Sequence, residues 1–143
     1  MNNTTHSSID KVHIRLKALE EYAGILKNLQ GVTGAELKTN IDKRAKAERY
    51  LQLAAESCID IAEFIIADQR LPTPQTYRHA IELLGDHNVI NKEFAYNFAK
   101  VASFRNILVH DYLQVDYEQI ANNINHHLDD FDKFARQIAS YLI

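Results

Sequence analysis

Apolar residues recur at steps of three and four along most of the chain, the period of a helix with one buried face. Ile9, Val12, Leu16, Leu19, Ala23, Leu26 and Leu29 keep that step until Gly31 interrupts it. Ser7-Ser8-Ile9-Asp10 has the form of a capping box at the start of this segment. Thr33-Gly34-Ala35-Glu36 has the same form and opens a second segment running to about Asp68, with a break expected at the weak helix formers Thr39-Asn40. From Tyr50 to Ile66 this segment is apolar on most of its circumference, which predicts a central helix. Thr73-Pro74 reads as an N-cap followed by proline at the first helical position, and Gly85 as the end of that short third helix. Asn91 is placed to cap a fourth helix leading into RNILVHDY, residues 105–112. The last begins near Asp116, where Tyr117, Ile120, Ile124, Leu128, Phe131, Phe134, Ile138 and Leu142 step by three and four.

No strand pattern, repeat or low-complexity stretch interrupts this series. The expected fold is all-α, an antiparallel bundle of four long helices plus one short one, because short loops make neighbouring helices antiparallel. A chain of 143 residues suits one domain. Residues 1–7, rich in Asn, Thr and Ser, are expected to form a disordered tail, and 8–143 a single bundle.

Composition narrows the class. Hydrophobic residues make up 46% of the chain, and no apolar run approaches the roughly 20 residues of a membrane span. The first residues lack the apolar core of a signal peptide. One cysteine, Cys58, has no partner for an internal disulfide, which fits a cytoplasmic protein, and its apolar neighbours predict a buried thiol. A net charge of −3 argues against indiscriminate coating of nucleic acid, yet it leaves room for a local basic cleft.

The stretch RNILVHDY carries the strongest chemistry. On a continuous α-helix, at about 100° per residue, Arg105 falls within roughly 20° of Phe98 and Tyr112, on the apolar stripe. A guanidinium there requires an acidic partner or an anion. Asn106 and His110 are four apart and share a face, whereas Arg105 and His110 lie about 140° apart. Two readings follow. Arg105 pairs with Glu56 or Asp60 as a structural salt bridge while His110 and Asp111 end the helix, or the cluster is a reaction centre completed by a second copy of the chain.

Other constellations are weaker. Lys43, Arg44, Lys46 and Arg49 form a basic cluster that reads as a solvated face, with an Arg44–Glu48 helix pair. His126-His127 with Asp129-Asp130 lacks the spacing of a metal site and reads as a polar helix face. His13, His79 and His87 show no partner in the sequence.

Arg105, His110 and Tyr112 match R-x4-H-x-Y. Together with Asn106, the all-helical layout and the helix AERYLQLAAESCIDIAEFII, they make the chain similar over nearly its whole length to the HEPN superfamily, specifically the HepT-type toxins. That resemblance implies a metal-independent endoribonuclease toxin of a type VII-like toxin–antitoxin pair, active as a homodimer on RNA. Catalysis would fall to Arg105 and His110, supported by Asn106 and Tyr112, with no metal and no cofactor. It also implies a minimal nucleotidyltransferase antitoxin that silences the nuclease by AMPylation of Tyr112. The alternative is a non-catalytic helical subunit that binds substrate for, or scaffolds, a nucleotidyltransferase complex.

Overall fold

The fold was determined as a computed structural model, which describes residues 7–106 and 116–143. Among the described residues there are seven α-helices, one 3-10 helix and no strand. The helices are α1 (Ser8–Lys27), α2 (Gly34–Thr39), α3 (Ile41–Asp68), α4 (Tyr77–Asp86), α5 (Lys92–Phe98), α6 (Tyr117–His126) and α7 (Asp129–Tyr141). The 3-10 helix, Ala99–Asn106, continues α5. None of the helices among the described residues is long and apolar enough to cross a membrane.

Local capping sets most boundaries. Ser7 Oγ accepts from the Asp10 N–H, and Thr33 with Glu36 forms a complete capping box. Asn40, at the expected break, ends α2 and caps α3 by accepting from the Lys43 N–H. Asn91 caps α5 as expected, and Asp116, near the expected start of the last segment, caps α6 by accepting from the Gln119 N–H. Gly31 turns the chain after α1 with φ +96°, a left-handed conformation that glycine takes without steric cost.

The long α3 is the axis of the bundle. Eleven of its residues are buried, among them Leu51, Ala54, Ala55, Ile61 and Ile65, and it packs against α1, α2, α4 and the 3-10 helix. Three side-chain contacts show that α1 and α3 run antiparallel: Lys11 with Phe64, Arg15 with Asp60, and Tyr22 with Tyr50. Cys58 lies fully buried in this core. Phe98 joins α5 to α7, stacked on Phe134 at 5.0 Å and edge-on to Phe131 at 5.8 Å.

Four expectations about the elements need correction. Thr73-Pro74 does not open the third helix. Thr76 caps α4 instead, because its Oγ accepts from the His79 N–H while His79 Nδ1 accepts from the Gln75 N–H, giving His79 a partner after all. Gly85 is inside the last turn, and the left-handed residue that ends α4 is Asn88, at φ 61°, with the Val89 N–H donating to the Leu84 carbonyl. The final helix is two helices, α6 and α7, divided at His127-Leu128, where Asp129, Asp130 and Asp132 supply an acidic first turn suited to a helix N-terminus. The fourth helix keeps α geometry only to Phe98. The all-α class holds, with more and shorter helices than four long and one short.

Candidate active site around Arg105

The change to 3-10 geometry decides where Arg105 goes. With three residues per turn, side chains three apart eclipse one another, so Arg105 follows the row of Ala99 and Ala102. Both alanines are buried. The row expected from α geometry, with Phe98 and Val101, instead parts from it. Val101 and Phe104 border a cavity of about 420 Å³ between the 3-10 helix, α6 and α7, floored by Leu51, Phe98 and Phe131.

Arg105 is held on three sides. Its Nη1 lies 3.3 Å from Glu56 Oε1 on α3, with 34% and 30% of the two side chains exposed. Its guanidinium carbon is 5.5 Å from the centre of the Tyr77 ring, at the first residue of α4. Its backbone carbonyl accepts from Gln52 Nε2 at 3.5 Å, and Gln52 Oε1 accepts from Arg49 Nη1 at 3.4 Å. Gln52, Glu56, Asp60 and Glu63 follow one another at steps of three and four along α3, so they share one face. Asp60 is taken by Arg15 at 3.0 Å, which leaves Glu56 as the partner of Arg105.

This face is acid-rich, and Glu63 registers it. Its carboxyl is raised above the ordinary range by partial loss of hydration and by the charge of Asp60, while Arg105 opposes the shift. The guanidinium therefore sits where negative charge is already concentrated, held by the Glu56 carboxylate and by the face of the Tyr77 ring.

Of the expected site residues, Arg105 is described in full and Asn106 ends the 3-10 helix. The Asn106 side chain, His110 and Tyr112 lie outside the described residues. Tyr77 on α4 and Gln52 on α3 are contacts that the sequence reading missed, since no spacing rule links either helix to a residue beyond α5. The basic cluster is tied up locally: Lys43 pairs with Glu36 at 2.8 Å, and Arg44 donates to the Lys38 carbonyl at 2.9 Å. His127 Nδ1 lies 3.8 Å from Asp130 Oδ2, a contact within the polar surface at the start of α7.

Comparison with known proteins identifies the family. An mRNA nuclease HepT of Shewanella oneidensis is 34% identical over 111 residues, covering 76% of this chain and 84% of the relative. A tRNA nuclease HepT of Aphanizomenon flos-aquae is 29% identical over 132 residues, covering 92% of this chain and 90% of the relative. Among solved structures, a tri-AMPylated Shewanella oneidensis HEPN toxin in complex with an MNT antitoxin is 29% identical with a TM-score of 0.81, over 92% of this chain and 98% of the other. The family model described as ribonuclease HepT-like matches residues 18–138, and with so much of the bundle inside that match the chain belongs to the ribonuclease HepT-like family.

Proposed function

We propose that the chain is a metal-independent endoribonuclease toxin that cleaves RNA with Arg105 and His110. The single observation that carries this reading is the setting of Arg105. An arginine a third exposed, seated between a carboxylate and an aromatic ring at the end of the 3-10 helix, is held in place and still open to an anion. The nuclease names of the relatives agree with it. Cleavage without a metal requires a base for the 2′-hydroxyl, an acid for the departing 5′-oxygen, and positive charge beside the pentacoordinate phosphorus. Histidine exchanges protons near neutral pH, and arginine offers phosphate a planar, permanently charged fork. His110 takes the proton transfers, Arg105 the developing charge, and Asn106 orients the imidazole or donates to a phosphate oxygen.

Two copies of the chain supply both motifs to one cleft in this reading. The control step is AMPylation of Tyr112 by a minimal nucleotidyltransferase antitoxin, and the tri-AMPylated HEPN toxin bound to an MNT antitoxin supports extending it to this chain. Each AMP adds a phosphodiester charge that competes with the RNA phosphate.

A second reading draws on the Arg105–Glu56 pair. If that pair only fastens the 3-10 helix to α3, the chain is a non-catalytic subunit of a nucleotidyltransferase complex. Incubation of purified protein with total RNA in EDTA separates the two. Cleavage is expected to persist in EDTA and to fall on the order of a hundredfold in Arg105→Ala and in His110→Ala, both folded by circular dichroism. Undiminished cleavage by His110→Ala overturns the assignment.

A further inference from the structure

We propose that Tyr77 is a stacking platform for a base of the bound RNA, a role that rests on the nuclease reading of Arg105. Among the described residues Tyr77 is one of the few large hydrophobic residues left open on the surface, 42% exposed, although α4 buries Ala80, Ile81, Leu83 and Leu84. The Arg105 guanidinium lies over the ring, 5.5 Å from its centre, and the residue as a whole keeps 42% of its surface exposed. An RNA phosphate on that guanidinium brings its own sugar and base within one nucleotide of the ring. Proteins that hold single-stranded RNA use this pairing of a cationic group for phosphate with an aromatic face for a base.

The backbone that carries the ring is also fixed in place. Thr76 accepts from the His79 N–H at 2.9 Å, and His79 Nδ1 accepts from the Gln75 N–H at 3.1 Å. These two reciprocal bonds pin the first turn of α4, and Tyr77 stands between them. A platform held before substrate arrives gives up less freedom on binding than a loop residue does. Stacking on an aromatic ring accepts any base, so Tyr77 adds affinity and alignment with little sequence preference.

The test measures binding apart from cleavage. A short fluorescein-labelled single-stranded RNA is titrated by anisotropy against His110→Ala protein with Tyr, Phe or Leu at position 77. Tyr77→Leu is expected to weaken binding between about 5- and 150-fold, and Tyr77→Phe to stay within about twofold. The slope of affinity against salt should be unchanged in both, because no phosphate contact is lost. In the active protein, Tyr77→Leu should raise KM with little change in kcat. If Tyr77→Leu perturbs the circular dichroism spectrum, Tyr77→Gln, suited to an exposed helix start, takes its place in the same comparison. Leu or Gln binding as tightly as Tyr, or Phe binding as weakly as Leu, overturns the platform. Failure of the wild-type protein to cleave any RNA overturns the nuclease reading instead, and is read in a separate assay.

Discussion

Glu56 Oε1 stands 3.3 Å from Nη1 of Arg105, so the arginine proposed to meet the RNA phosphate already faces a carboxylate of the same chain. The pair has two consequences. It fixes the guanidinium against α3, and it cancels part of the charge that an incoming phosphate would see. Glu56→Gln keeps an acceptor of the same shape and removes the opposing charge. A phosphate roughly 6 Å from Glu56, at an effective dielectric near 60, would be relieved of about 1 kcal/mol of repulsion, about fivefold in affinity. We therefore expect Glu56→Gln to tighten RNA binding severalfold at low salt, with stability changing by less than about 1 kcal/mol because the pair is partly exposed. Unchanged or weaker binding in an anisotropy titration refutes the proposed competition.

Control through Tyr112 makes a prediction in mass units. With an MNT-type nucleotidyltransferase and ATP, the intact mass of the chain should rise in steps of one AMP, and Tyr112→Phe should remove every step. The modified protein should stay folded and lose RNA binding. An adduct that forms on Tyr112→Phe, or a modified protein that cleaves normally, rules out this switch.

Gly85 tests the packing that holds up the site. A Cβ at this position would lie 2.6 Å from Cβ of Ala95 and 3.1 Å from the Lys92 Cα, so α4 and α5 approach each other more closely than alanine permits. Gly85→Ala should destabilise the fold by about 1–3 kcal/mol, measured by urea unfolding. A neutral effect would mean that the two helices separate without penalty.

Burial of Cys58 predicts a loss of stability at high pH. Its thiol is pushed well above the ordinary 9.0, so the folded chain keeps it neutral while the unfolded chain ionises it first. Its contribution is thus complete below about pH 9 and declines as pH rises beyond, by at most about 1.4 kcal/mol per unit until the folded thiol itself ionises. Wild-type protein should lose more stability than Cys58→Ala between pH 8 and about pH 10. Parallel pH profiles for the two would show that the thiol is reached by solvent.

What the chain reveals before folding follows the range of each interaction. The caps at Ser7, Thr33 and Asn91 were legible because a cap involves residues only three apart. Thr73-Pro74 misled because Thr76 offers a second cap nearby, and the bond from the Gln75 N–H to His79 Nδ1 beside it has no sequence signature. The division at His127-Leu128 was hidden by an apolar period that passes through it unbroken. Arg105 was conspicuous as a cation among apolar residues, and Glu56 was one of two partners the central helix offered. Choosing between them required Arg15, which occupies Asp60. Tyr77 could not be found this way, since only the packing of α4 against the 3-10 helix brings it to Arg105.

The 3-10 helix also acts as a spacer. Its eight residues, Ala99–Asn106, advance about 2.0 Å each and cover about 16 Å, where an α-helix of the same length would cover about 12 Å. Phe98 fastens the start of this stretch to Phe131 and Phe134, so the extra 4 Å or so is gained entirely at the far end. Rewinding it as α-helix would draw Arg105, its seventh residue, back along the bundle by about 3.5 Å, roughly two-thirds of an α-helical turn, and turn its side chain away from Glu56 and Tyr77. The length of this one segment, measured from the aromatic anchor, thus sets how far the guanidinium is delivered.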